Sequence, residues 1–342
     1  RKKFKDQGGE DVMGMTERPI VLQGTGVRKY FPVHTGFGKP KKYVKAVDGV
    51  DITIHEGEIY GLVGETGCGK STLGRTLIRL TDPTDGNISV LGKDITKLND
   101  KQMTDMRQKI QMVFQDPYTS LDPKQKVGDI LMETLEIHGI GSKKDRLDIA
   151  MEIMGKVGLR PEHFYRYPHE FSGGQRQRVG LARALILNPK VIVCDEPVSA
   201  LDVSIQAQII NLLQDLREKD NISFLFIAHD MSVVKYISDR IGVMYLGHLM
   251  EEAETEELFA NPLHPYAQAL LSAVPNPDPH VKKERVVLQG DLPSPMNPPV
   301  GCVFHTRCPY ATEKCSLKVP SMHEVSPGHR VACLKYEGDG TL

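Results

Sequence analysis

Ile59-Tyr60-Gly61-Leu62-Val63-Gly64-Glu65-Thr66-Gly67-Cys68-Gly69-Lys70-Ser71-Thr72 is the stretch on which the fold turns. Ile59 to Val63 is a short apolar run of the kind that forms a buried strand. Leu73, Leu77 and Leu80 then recur at helical spacing. Between them, Gly64 to Ser71 matches G-x-x-x-x-G-K-[ST]. Glycines let successive backbone N–H groups curl round phosphate oxygens without a clashing Cβ. The helix that follows turns its positive end on the same oxygens. Lys70 would neutralise the β- and γ-phosphates, and the Ser71 hydroxyl would hold Mg²⁺. A flexible glycine turn would not account for the lysine.

Working outward, Val191-Ile192-Val193-Cys194-Asp195-Glu196 places two carboxylates at the C-terminal end of a second buried strand, the end at which open α/β sheets bind ligands. Asp195 suits the magnesium shell, and Glu196 suits a base or an orienter for an attacking water. His229 follows the apolar run Ser223 to Ala228 in the same way, and Gln115 follows Ile110 to Phe114. About twenty residues before Asp195 lies Phe171-Ser172-Gly173-Gly174-Gln175, a second glycine-bearing helix start. One nucleotide does not need two such starts, so the surplus points to ATP shared between two chains.

The alternation of strands and helices predicts an α/β fold with a mainly parallel core sheet. The chain up to Lys70 is β-rich. From Pro117 the β signals fade, and Leu147, Ala150, Met151, Met154 and Val157 fall on one helix face, which predicts a helical subdomain over about 117–174. Arg1 to Met15 is polar and reads as a flexible leader, taken to residue 18, with Met15 as a candidate start. Pro275-Asn276-Pro277-Asp278-Pro279 reads as a linker. It separates a main domain, 19–275, from a small irregular cysteine-rich extension, 276–342. The net charge of −1 gives no field that favours nucleic acid. No apolar run approaches the ~20 residues that span a bilayer, and no secretory signal opens the chain. The expectation is therefore a cytoplasmic location with unpaired cysteines.

Taken together, these residues resemble an ABC-type ATPase, a branch of the P-loop NTPases, over about Ile20 to Ala273. Gly64, Glu65, Thr66, Gly67, Cys68, Gly69, Lys70, Ser71 and Thr72 look like its Walker A loop, and Gln115 like the Q-loop glutamine. Phe171 to Gln175 is similar to the signature, with Phe for the usual Leu. Asp195 and Glu196 match Walker B and the catalytic glutamate. Ser199-Ala200-Leu201-Asp202 resembles the D-loop, and His229 the switch histidine. Phe31, or Tyr30, stands where the family stacks an aromatic on adenine. The resemblance implies magnesium held by Ser71, Gln115 and Asp195, and catalysis by Glu196 and His229. It also implies two ATPases head to tail, each capping the other's ATP with Ser172, Gly173, Gly174 and Gln175, with Ser199 and Asp202 at the junction.

His169 to Arg178, Asn261-Pro262-Leu263-His264-Pro265-Tyr266 and Leu270 to Pro275 are similar to the ATP-binding subunits of oligopeptide/dipeptide importers, in the form often designated F. That resemblance implies an energy-coupling subunit peripheral to the cytoplasmic face of the cell membrane. Its partners would be a second ATPase, non-identical or a copy of itself, two transmembrane permease subunits and, indirectly, an extracytoplasmic solute-binding protein. Nickel complexes or oligosaccharides are the alternative solutes. A soluble ABC ATPase is a further alternative, although such proteins usually carry long coiled-coil insertions or two cassettes.

Cys302, Cys308, Cys315 and Cys333 stand with 5, 6 and 17 residues between them. In a cytosolic chain this crowding favours a metal over disulfides. The spacing lacks the paired knuckles of common zinc sites and departs from ferredoxin runs, so zinc, an iron–sulfur cluster and no metal all stay open. His305, His323 and His329 are spare candidates. The resemblance to the importer extension, through Cys302-Val303-Phe304, Arg307-Cys308-Pro309, Cys315 and Ala332-Cys333, implies a structural [4Fe–4S] cluster.

Overall fold

Val50, Ile52 and Ile54 are buried while Asp51 and Thr53 between them are not, the two-residue period of a strand with one face on the core. This strand, β2 (Lys42–His55), pairs antiparallel with β1 (Ile20–Val33). The computed structural model describes residues 18–33, 42–199, 201–274, 286 and 288–337. The expected leader up to residue 17, the whole 275–279 linker and Ala200 of the D-loop stretch lie outside them.

After β2 come β3 (Ile59–Val63) and α1 (Lys70–Leu77), then β4 (Asp85–Val90), β5 (Lys93–Asp94) and α2 (Asp100–Arg107). Strands β4 and β5 complete a four-stranded antiparallel sheet in the order β2-β1-β4-β5. Next follow β6 (Ile110–Val113), α3 (Pro117–Ser120), α4 (Val127–Ile137), α5 (Lys143–Lys156) and α6 (Gly173–Leu185). Helices α3 to α5 fall within the 117–174 stretch expected to be helical, and α6 runs on from its end to Leu185. Ala150, Met154 and Val157 are buried, with Leu147 and Met151 packed at the margin of the same core.

β7 (Val191–Asp195), α7 (Val203–Asp220), β8 (Ser223–Ile227), α8 (Met231–Ile237), β9 (Arg240–Tyr245) and β10 (His248–Glu254) follow, then α9 (Thr255–Ala260), α10 (Pro265–Ser272), α11 (Glu313–Leu317), β11 (His323–Ser326) and β12 (His329–Val331). The second sheet runs β11-β12-β10-β9-β3-β8-β7-β6. From β6 to β9 it is parallel, as predicted. Every residue of β3, β7 and β8 is buried. Helices cover both faces of such a sheet, so its strands read as continuous apolar runs rather than alternations.

The register fixes the site. Leu62 and Asp195 both pair with Ile227, and Val113 pairs with Cys194. The residues that follow β3, β6, β7 and β8 therefore leave the sheet at one edge.

The C-terminal extension differs from the small separate unit expected. Its strand β12 pairs antiparallel with β10, Glu251 opposite Val331 and Glu252 opposite Arg330. Pairing satisfies backbone groups that an open edge would leave exposed. Buried charges fasten the seam: Arg240 binds Glu58 and Glu252, Arg330 binds Glu252, and His329 lies between Glu251 and Glu257. Phe304 is fully buried against Tyr245 and Tyr266. Among the described residues no helix is long and apolar enough to cross a membrane.

Candidate active site

The loop from β3 to α1 is shaped by its glycines. Gly69 has φ 107°, and a Cβ there would sit 2.0 Å from the Ala46 carbonyl oxygen; at Gly64 (φ 152°) it would sit 2.1 Å from the Met244 carbonyl oxygen. No L side chain fits either position. Buried Lys70 donates from Nζ to the carbonyls of Gly64 (2.7 Å) and Glu65 (3.1 Å), spanning the loop's mouth. Ser71 Oγ donates to Asp195 Oδ1 at 2.6 Å, and Arg75 Nη2 stands 3.4 Å from Asp195 Oδ2. Asp195 is wholly buried. A buried carboxylate needs such partners, or a cation.

Glu196 follows Asp195 with φ 47°, a left-handed conformation that costs a non-glycine residue about 1–2 kcal/mol. Its N–H donates to the Ile227 carbonyl (3.0 Å), and its own carbonyl accepts from Ser199 Oγ (3.1 Å). This turn presents the Glu196 carboxylate to two other candidate site residues. Gln115 Nε2 donates to Glu196 Oε2 at 2.8 Å, and His229 Nδ1 lies 3.4 Å from the same oxygen. Three strand ends thus meet on one carboxylate beside the Ser71–Asp195 pair. Gln115 stands with Glu196 rather than with Ser71 and Asp195, so the three magnesium candidates are not gathered by direct hydrogen bonds. Their hydroxyl, carboxylate and amide oxygens are nonetheless the donors that a hard divalent cation takes.

The signature stretch is built as a helix start. Ser172 caps α6 by accepting from Gln175 N–H, while Gln175 Oε1 accepts from Ser172 N–H at 3.0 Å. This reciprocal box leaves Gly173 exposed at the tip. A Cβ on Gly174 would meet Ile205 at 2.3 Å, so α6 packs on α7 too closely for a side chain. Among the described residues no hydrogen bond or ion pair joins residues 172–175 to the phosphate loop. Asp202 caps α7, accepting from Ile205 N–H at 3.0 Å. At the other end of the site, the Tyr30 hydroxyl is bound to Asp48, whereas Phe31 is 40% exposed.

Residues 47–199 match the ABC transporter family, and residues 250–315 match the C-terminal region of oligopeptide/dipeptide transporters. The chain is 55% identical over 312 residues to the putative oligopeptide transport ATP-binding protein YkfD of Bacillus subtilis, covering 90% of this chain and 94% of that protein. The oligopeptide transport ATP-binding protein AppF of the same organism is 53% identical over 328 residues, covering 95% of this chain and 100% of that protein. The chain belongs to the ABC transporter ATPases. A solved ATP-binding cassette, dimeric and bound to ADP and phosphate after hydrolysis, superposes with a TM-score of 0.61 at 30% identity, covering 68% of this chain and 98% of that one. ATP is accordingly the substrate of this ABC ATPase, and hydrolysis its reaction.

The cysteines answer the sequence expectation only in part. Among the described residues no group of three or more His, Cys, Asp or Glu side chains is placed to hold a metal ion. The expected four-cysteine metal site, whether an iron–sulfur cluster or zinc, is thus not supported among the described residues. Cys302, Cys308, Cys315 and Cys333 do all line one cavity of about 420 Å³. Burial pushes the Cys302 thiol up to about 11. Of the spare histidines, His323 bonds Ser321 and His329 lies between two glutamates, whereas His305 lines the cysteine cavity with its Nδ1 facing the Cys302 carbonyl. Cys68 and Cys194 are buried apart from this cavity, in the loop and in β7.

Three residues with no predicted role touch the site. Arg75 follows Ser71 by one helical turn, and that spacing alone could have marked it. The Tyr266 hydroxyl accepts from Glu65 N–H at 2.8 Å. Arg307 grips the Glu65 side chain. Both lie in stretches that carry the importer resemblance, but nothing in the sequence pairs them with the loop.

Proposed function

We propose that the chain is the energy-coupling subunit of a membrane importer for di- or oligopeptides, as the names of its relatives indicate. The observation that carries this reading is the meeting of Gln115, Glu196 and His229 beside Ser71 and Asp195, with a capped, exposed signature helix standing apart. Gly64 to Thr72 cradles the phosphates, Lys70 neutralises them, and Phe31 stacks on adenine, since Tyr30 is tied to Asp48. Ser71, Gln115 and Asp195 hold the magnesium ion that screens phosphate charge. Glu196 orients and deprotonates water, and His229 holds the γ-phosphate side. Ser172 to Gln175 complete the ATP site of a second, non-identical ATPase, with Ser199 and Asp202 at the junction. Closure and reopening around ATP drive the two permease subunits. The solute-binding protein acts on the far side, and this subunit works peripherally at the cytoplasmic face.

Gly173→Asp tests the shared site. Its Cβ would meet nothing closer than Leu201 Cδ2 at 3.4 Å, so the helix start accepts it. Binding of Mg-ADP by the variant's own loop should be unchanged, while ATPase activity of the assembled transporter falls about a hundredfold, the scale of losing an anion-stabilising helix start. Unaltered ATPase activity would overturn the reading.

For the extension, the cluster reading rests on four thiols that line one cavity, not on any group placed for a metal ion. A [4Fe–4S] cluster there would cross-link the Cys302–Cys333 segment rather than carry electrons for hydrolysis. Anaerobically purified protein should be brown with about four irons per chain. Colourless protein containing zinc would sink the assignment.

A further inference from the structure

Glu65 is the odd residue of the phosphate loop, a carboxylate where anions must approach. It is held at three points: its N–H by the Tyr266 hydroxyl of α10, its carbonyl by Lys70, and its carboxylate by Arg307 through Nη1 (2.8 Å) and Nη2 (3.2 Å). The last is a two-point fork, the geometry that orients as well as neutralises. The Arg307 side chain is only 9% exposed. It lies near the Tyr245 ring, and its N–H donates to the Phe304 carbonyl at 3.0 Å. The next residue, Cys308, lines the cysteine cavity.

We propose that Arg307 is a positioning residue for nucleotide binding, holding the Glu65 carboxylate neutralised and turned out of the phosphate loop. The proposal rests on Gly64 to Ser71 being the nucleotide loop. Without Arg307, nothing would offset the Glu65 carboxylate beside the loop, and like charges at short range oppose anion binding. The fork also ties the loop to the extension. Tyr245, Tyr266 and Phe304 pack into one aromatic cluster beneath both, so the loop's shape depends on a segment some 240 residues distant in the chain, the separation of this pair being 242.

The test is a titration of the full-length chain with Mg-ADP, which excludes turnover. Arg307→Gln keeps the stem but removes the charge, and should raise Kd about tenfold, while Arg307→Lys, which keeps a one-point pair, should raise it about threefold. Adding Glu65→Gln to Arg307→Gln should bring Kd back to within about threefold of the parent, because the unneutralised charge is gone. A merely structural anchor would not be rescued by removing its partner's charge. In ATPase assays, KM should carry the change while kcat moves about twofold or less. An unchanged Kd in Arg307→Gln, or a double variant as weak as the single one, overturns the proposal. If Arg307→Gln does not fold, Arg307→Lys decides, since binding equal to the parent's contradicts it. Failure of the parent to bind Mg-ADP at all would instead strike the reading of the loop.

Discussion

Two regions of this molecule gather reactive side chains, and they do so by different means. At the parallel edge, Ser71, Gln115, Asp195, Glu196 and His229 each end or follow a strand or open a helix, and strand register brings them together. In the extension, Cys302, Cys308, Cys315 and Cys333 reach one cavity through short turns and a five-residue helix. The edge is stiffened by a shared hydrogen-bonded sheet. The extension depends on a few anchors: β12 on β10, Phe304 in its aromatic cluster, and Arg307 on Glu65. The parallel edge should therefore tolerate change at its surroundings better than the extension tolerates loss of an anchor.

The largest effect on the comparison is expected at Phe304. Phe304→Ala opens a fully buried ring site and should cost about 3–5 kcal/mol, seen as an early transition in thermal melts or as proteolysis within 286–337. A melt like the parent's would mean that the extension does not rely on this anchor. Gly69→Ala attacks the other region. With a Cβ only 2.0 Å from a backbone oxygen, the loop must rearrange, and nucleotide affinity should fall about a hundredfold, or ~2.7 kcal/mol. Retained affinity would show that the loop is looser than its geometry indicates.

A smaller effect comes from pH at the seam. Hydrogen bonds to Glu251 and Glu257 hold the pKa of His329 above its ordinary 6.5, against the opposing effect of burial. A raised folded pKa means that the charged histidine stabilises fully below about pH 6.5 and loses that contribution as pH rises through the folded value. The melting temperature of the extension should therefore fall over that window, and His329→Gln should flatten the dependence. The smallest effect is at the signature: Ser172→Ala removes a helix cap worth about 1 kcal/mol, readable in urea melts of the chain, with the parallel edge unaffected.

The same contrast governs what could be read from the chain. Apolar runs of β3, β7 and β8 mark buried strands, and a ligand edge follows from their C-terminal ends, so the phosphate loop, both carboxylates, Gln115 and His229 were legible together. Pairing of Ser71 with Asp195 follows from that edge; Gln115 choosing Glu196 over the magnesium candidates does not, because it depends on side-chain torsions. β9 and β10 are buried almost throughout, but Arg240, Glu251 and Glu252 stand within them, so no clean apolar run marks them. The docking of β12 on β10, the Arg307–Glu65 fork and the Tyr266–Glu65 bond join residues some 80 to 240 apart, as the separations of 78 and 242 at this seam and loop illustrate. No local period encodes such partners. The cysteines advertise a shared site by number, but their spacing does not fix how far apart the thiols stand.

In the proposed function the strand edge places Glu196 to activate water, while nucleotide binding rests on the loop and its neighbours and not on Glu196. Glu196→Gln, measured for Mg-ATP binding and for hydrolysis by the assembled transporter, tests it most directly. Binding should be retained while turnover falls at least about a hundredfold, the usual scale for losing a general base; hydrolysis at the parent's rate would contradict the account.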